Sequence, residues 1–142
     1  VGNVGKETGV IFVKRDCENS REETRNHINT VLKNGFSILN TPEGTTHKEP
    51  TTIRFLPGAF TLAIQLGVPV IPIAIDYKDL NDAWVGDDTF IPHFLRCFSK
   101  WKTEIKVSYL EPIYSNNADE LIIATKKEID EELIRFRKEW NN

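Results

Sequence analysis

The residues with the most chemical potential lie in Thr41-Pro42-Glu43-Gly44-Thr45-Thr46-His47. A carboxylate on a rigid Pro-Glu-Gly turn is held at fixed geometry, and Gly44 lets a ligand approach the backbone closely. Upstream, Lys14 and Arg15 end an apolar run, and an arginine fork suits a phosphate because it donates two bonds at once. Taken alone, each has a plainer reading. An isolated Pro-Glu-Gly is more often a solvated turn, and a basic pair at a strand end is more often a solvated edge. His47 follows Glu43 by four positions, which would bring the two side chains together on a helix. Gly44 argues against a helix there, so no Glu43–His47 pair is expected. His27 is expected to be solvated and His93 structural.

The elements that must position these groups follow from periodicity. Val10–Lys14 and Phe36–Asn40 read as strands flanking a helix that starts at the Ser20-x-x-Glu23 capping box and stops near Gly35. This order predicts a βαβ unit with parallel strands, and the 41–52 loop then leaves a strand's carboxyl end, where open α/β sheets place ligands. Pro57-Gly58 opens a short helix through Leu66, with Gly67 as its stop. Val68–Ile75 is apolar throughout, as a strand covered on both faces would be, although Pro69 and Pro72 limit its pairing. A helix is expected over Thr89–Trp101. A strand with one wet face is expected over Thr103–Leu110. The last helix, Asp119–Trp140, carries Leu121, Ile122, Ile129, Leu133, Phe136 and Trp140 on one stripe, with Glu131 and Arg135 paired on the polar side. The predicted architecture is α/β: a central mixed, largely parallel sheet flanked by helices.

The chain has 142 residues with 18 basic and 21 acidic side chains, a formal charge of -3. That length fits one domain, residues 1–142, burying roughly 68–70% of its unfolded surface. The balanced charge argues against a nucleic-acid partner. Cys17 and Cys97 have no metal-ligand spacing, so neither a metal site nor a disulfide framework is expected. Phe60–Ile75 is interrupted by Gln65, Gly67 and two prolines and falls short of the about 20 residues needed to span a bilayer. No signal peptide and no Asn-x-Ser/Thr acceptor is visible, which fits a cytoplasmic address. With no methionine and an abrupt opening at Val1, the chain reads as truncated at its N-terminus.

The spacing of three blocks goes further. Gly9-Val10-Ile11-Phe12-Val13-Lys14-Arg15, then Pro42-Glu43-Gly44-Thr45, then Pro57-Gly58-Ala59-Phe60 leading into Val68-Pro69-Val70-Ile71-Pro72, resembles the 1-acylglycerol-3-phosphate and lysophospholipid acyltransferases of phospholipid biosynthesis. The resemblance implies transfer of a fatty acyl group from acyl-CoA or acyl carrier protein to the hydroxyl of a lysophospholipid or 1-acylglycerol-3-phosphate, with no further cofactor. It implies that Arg15, Pro42, Glu43, Gly44 and Thr45 bind the acceptor and that Pro69 and Pro72 shape the acyl site.

Two departures qualify it. The family's catalytic pattern is His, four residues, then Asp, with the His acting as general base. Here His27, His47 and His93 are followed five positions later by Leu32, Thr52 and Phe98. Catalytic residues are therefore absent from these 142 residues, and the chain is expected to be inactive as it stands, lacking a proton transfer worth about 10²–10⁴-fold. The family's phosphate-binding Arg and Lys are replaced by Thr46 and Leu56, with Arg54 or Lys48 as substitutes. This points to the lysophospholipid branch, whose acceptors carry a less charged phosphodiester. The alternatives are a non-catalytic module that binds lysophospholipid or acyl donor, and an unrelated small α/β domain whose blocks coincide by chance.

Membrane contact is a further expectation. Ile91, Phe94, Leu95, Phe98 and Trp101 share a helical face, with Arg96, Lys100 and Lys102 adding charge. That pattern suits peripheral docking on an anionic cytoplasmic membrane face. The competing and favoured expectation is that these aromatics pack on the sheet. A sheet made to pack against a segment upstream of Val1 is also expected to expose apolar surface.

Overall fold

The structure, a computed structural model, describes residues 18–86 and 88–141, with side chains from Glu22 onward. The chain divides into two compact units, residues 1–40 and 41–142.

In the first unit, α1 spans Glu18–Lys33, so helix is already present two residues ahead of the expected Ser20 start. Its other end is where the sequence places it. Gly35 adopts φ 81°, and two back-bonds, Phe36 N–H to Val31 O at 3.2 Å and Gly35 N–H to Leu32 O at 3.0 Å, satisfy the last carbonyls. Residues 36–40 are extended but join no ladder among the described residues. Phe36 and Leu39 are exposed. The run has the composition of a strand, but a strand also needs a partner edge, and the described residues offer it none. The expected strand Val10–Lys14 lies outside the described residues.

The second unit is built on three helices and one small sheet. α2 spans Gly58–Leu66 and buries Phe60, Leu62 and Ala63. Gly67 at φ 64° ends it, with Val68 N–H reaching Ala63 O at 3.0 Å. β1 (Ile73–Tyr77) pairs antiparallel with β2 (Ile105–Tyr109), Ile75 opposite Val107. Between them lie a 3₁₀ turn at Leu80–Asp82 and α3, Phe90–Phe98. α4, Ala118–Asn141, closes the unit.

The predicted central, largely parallel sheet is therefore corrected for the described residues: their sheet is two-stranded and antiparallel. The reason is visible at its edge. Lys78 N–H donates to Glu104 O at 3.0 Å, so the whole 78–104 excursion leaves and re-enters at the same end, whereas a parallel partner requires crossing to the other end. The prolines act as expected. Val70 exchanges two bonds with Ile113, but Pro72 only accepts, from Leu110 N–H at 3.0 Å, and regular strand begins after it.

α4 supplies the core. Leu121, Ile129, Leu133 and Phe136 pack with Phe55, Phe60 and Ala74, and each such side chain contributes about 1.5–3 kcal/mol on burial. Which sheet face it covers was not foreseen. Arg137 binds the Asp76 carboxylate, Ser108 donates to Glu132 at 2.5 Å and Lys106 to Glu139 at 2.5 Å. Thus the face carrying Asp76, Lys106 and Ser108 lies under α4. Ile75, Tyr77, Ile105, Val107 and Tyr109 are exposed on the other, so Val68–Ile75 is not covered on both faces. The expected Glu131–Arg135 pair also gives way: Arg135 binds Glu132 and Glu139. Among the described residues no helix is long and apolar enough to cross a membrane.

Candidate functional site

The Pro-Glu-Gly segment folds as a tight turn. Gly44 N–H donates back to Thr41 O at 3.2 Å, Pro42 presets the turn, and Gly44 takes φ 68°, which disfavours any side chain. Pro42 O accepts from Leu56 N–H at 2.8 Å, pinning the turn to the segment before α2. Glu43 is thereby directed at residue 53: its Oε2 accepts from Ile53 N–H at 2.8 Å.

His47 meets the same oxygen, Nε2 to Oε2 at 2.5 Å. The expectation that this pair does not form is overturned. A four-residue approach does not require a helix, because the Gly44 turn folds the chain back by another route. The other ring nitrogen fixes the proton. Glu49 N–H can only donate, and it lies 3.1 Å from Nδ1, so Nδ1 accepts and in the neutral ring the proton sits on Nε2, facing Glu43. With its lone pair engaged, His47 orients the carboxylate and is not placed to take a proton from a substrate. Oε1 of Glu43 accepts nothing among the described residues, and the side chain is 22% exposed.

The far end of the loop is clamped from far away in sequence. Asp130 Oδ1 accepts from both Thr52 N–H (2.8 Å) and Thr52 Oγ1 (2.6 Å), and Lys126 Nζ donates to Thr52 O at 2.7 Å and to Asp130 Oδ2 at 2.5 Å. Burial alone would push the Asp130 carboxyl up; the Lys126 ammonium and the Thr52 donors outweigh it and hold it below the usual carboxylate range. No motif announces this clamp. Arg54, the next residue after Ile53, is exposed and makes no ion pair among the described residues. Lys48 reaches Asn81 Oδ1 at 3.4 Å.

The remaining expected residues are placed as follows. Thr45 is exposed and Pro42 half-buried. Pro72 is fully buried, and Pro69 is half-buried beside it. Arg15 lies outside the described residues. The loop contacts one neighbouring segment through Thr46 Oγ1, which donates to Trp84 O.

The acyltransferase family profile matches residues 1–76, more than half of the chain. The chain belongs to the acyltransferase family. This acyltransferase-family chain is 28% identical over 128 residues to a lyso-ornithine lipid O-acyltransferase of Pseudomonas aeruginosa, covering 87% of this chain and 49% of that protein. It is 29% identical over 125 residues to a chloroplastic 1-acyl-sn-glycerol-3-phosphate acyltransferase of Brassica napus, covering 88% of this chain and 33% of that one. It is 32% identical over 120 residues to lysophosphatidylcholine acyltransferase 2B of Rattus norvegicus, 80% of this chain and 22% of the relative. The chain thus spans at most about half the length of these relatives. No solved structure matches it significantly. The matched residues include the Pro42–Thr45 and Pro69–Pro72 blocks.

A second polar cluster surrounds α3. Arg96 Nη2 binds Asp88 at 2.6 Å and lies 2.9 Å from His93 Nδ1, and His93 Nε2 is 3.4 Å from Cys97 Sγ. Trp84 stacks on the His93 ring, with centroids 5.7 Å apart. The Arg96 hydrogen bond holds the Asp88 carboxyl below its usual range. Next to this cluster an open depression of about 460 Å³ is lined by Lys78, Asp79, Asp82, Lys100, Lys102, Thr103 and Glu104. Lys100 bridges Asp79 and Asp82 there, each at 2.5 Å, and all but one of the lining residues are charged. None of its residues belongs to the 42–47 loop. Among the described residues no group of three or more His, Cys, Asp or Glu is placed to hold a metal.

Proposed function

We propose that the chain is the acceptor-handling part of a glycerolipid acyltransferase, whose reaction moves a fatty acyl group from acyl-CoA or acyl carrier protein to the hydroxyl of a lysophospholipid or 1-acylglycerol-3-phosphate. The observation that carries this is the fixed Glu43 carboxylate. Oε2 is held by Ile53 N–H and His47, which leaves Oε1 to accept from an acceptor hydroxyl at a set position. Arg54, exposed and without an ion pair among the described residues, is assigned the acceptor phosphate in place of the cations missing at Thr46 and Leu56, and Arg15 is assigned to acceptor binding by the family resemblance alone. Lysophospholipid is preferred over the more charged phosphomonoester because so few cations are gathered. The buried Pro72 and its neighbour Pro69 are assigned to the wall of the acyl site. No cofactor is invoked, and the working compartment is the cytoplasm.

In acyl transfer the hydroxyl oxygen attacks the thioester carbonyl, its proton passes to a base, and the thiol leaves. His47 does not fit that base, since both its nitrogens are engaged. With no His-x-x-x-x-Asp in the 142 residues, the chain is assigned acceptor binding with thioester consumption at background. Titrating a short-chain, monomeric lysophosphatidylcholine by calorimetry tests the site. The parent is expected to bind, and Arg54→Ala and Glu43→Gln to weaken binding about tenfold or more, the loss of one charge-assisted bond. Equal binding by both variants would remove the proposed site.

A second reading, a non-catalytic lipid- or acyl-donor-binding module, is favoured by the engaged His47 nitrogens. Sustained release of coenzyme A from acyl-CoA by the chain itself would exclude it.

A further inference from the structure

α3 is amphipathic, yet it is mounted the opposite way from a core helix. Its polar side faces the protein: Arg96 binds Asp88 and Asn81 O, Cys97 lies against Asp82, and His93 lies under Trp84. Its apolar side is bare. Phe90, Ile91, Phe94, Leu95 and Phe98 are exposed, none of the helix's residues is buried, and Trp101 just beyond is fully exposed at 103%. The expectation that these aromatics pack on the sheet is thereby overturned.

We infer that this face docks on an electrically neutral phospholipid bilayer surface. Charge decides the kind of surface. Arg96 is paired with Asp88, Lys100 with Asp79 and Asp82, and Lys78 and Lys102 with Glu104, so each of the four cations of residues 78–104 already holds a carboxylate. Residues 78–104 carry four Lys and Arg against five Asp and Glu, which weighs against a preference for an anionic membrane. The composition of the face decides against a protein partner. Protein interfaces carry about one hydrogen bond per 100–200 Å², whereas the only polar group on this row is the Trp101 indole N–H, which suits the headgroup level. The choice of lipid as occupant rests on the proposed function, and the geometry connects the two. The backbone carbonyl of Trp84, which stacks on α3, accepts from Thr46 Oγ1, so α3 and the 42–47 loop adjoin through one residue.

Co-sedimentation with phosphatidylcholine vesicles containing no lysolipid tests this. The parent is expected to bind, equally at low and high salt and without gain from added phosphatidylserine. Phe98→Glu with Trp101→Glu is expected to lower binding about tenfold or more while leaving the urea midpoint unchanged. Undiminished sedimentation of the double variant overturns the inference. So does binding that requires phosphatidylserine and vanishes with salt, and so does a parent self-association that the double variant abolishes without any vesicle binding. Monomeric lysophosphatidylcholine titration separates the two claims. Retained lysolipid binding with lost vesicle binding removes the docking face alone, and the reverse removes the acceptor site alone.

Discussion

α3 and α4 are both amphipathic, and they are mounted in opposite senses. α4 turns Leu121, Ile129, Leu133 and Phe136 into the core and keeps Lys127 and Glu131 in water. α3 turns Arg96, His93 and Cys97 inward and its aromatics outward. The difference teaches that an apolar stripe fixes the existence of a preferred face, not its destination. The destination follows from what the neighbouring segment offers. α4 meets Phe55, Phe60 and Ala74, whereas α3 meets the carboxylates Asp82 and Asp88.

The contrast can be broken by paired truncations. Phe136→Ala is expected to cost about 3–5 kcal/mol in urea denaturation, as a buried aromatic removal does. Phe98→Ala, at a site 75% exposed, is expected within about 0.5 kcal/mol of the parent. Comparable losses at both positions would mean that α3 is buried in solution. The next effect sharpens the account of α4. Thr125 is buried, and its Oγ1 has no partner among the described residues. Thr125→Val keeps the shape and removes the unsatisfied hydroxyl, so the urea midpoint should rise by about 1 kcal/mol equivalent; a fall would reveal a bonded hydroxyl.

A smaller effect is expected from pH. The Arg135 guanidinium and then the Ser108 hydroxyl hold Glu132 down to about 2, against an ordinary 4.5. Its folded value lies below its unfolded one, so its contribution is complete above about pH 4.5 and is lost as pH falls through about 2. Glu132→Gln should flatten the stability profile in that window while leaving the slope above it unchanged. An unchanged acid slope in the variant would assign the acid sensitivity elsewhere.

Much of the fold was legible where local geometry decides it. Gly35 and Gly67 end their helices because both take positive φ, and the α4 stripe reads directly at helical period. The β2 alternation was legible as a period but not as a direction. Ile105, Val107 and Tyr109 look inward by composition and face outward in fact, because α4 covers the sheet with Glu132, Arg137 and Glu139 among its apolar residues. The Pro42–Gly44 turn was legible, but the contact of Glu43 with His47 was not, since spacing alone suggested a helix that Gly44 forbids. The Thr52–Asp130 bond joins residues 78 apart, a distance over which no pattern in the sequence carries a signal.

That bond has a temporal consequence. The segment that presents Ile53 N–H to Glu43 leaves the ribosome long before Lys126 and Asp130 exist to clamp Thr52. Chains are built from the N-terminus at about 5–20 residues per second, so the Glu43 loop waits seconds for its clamp. Its final geometry is set only after α4 emerges.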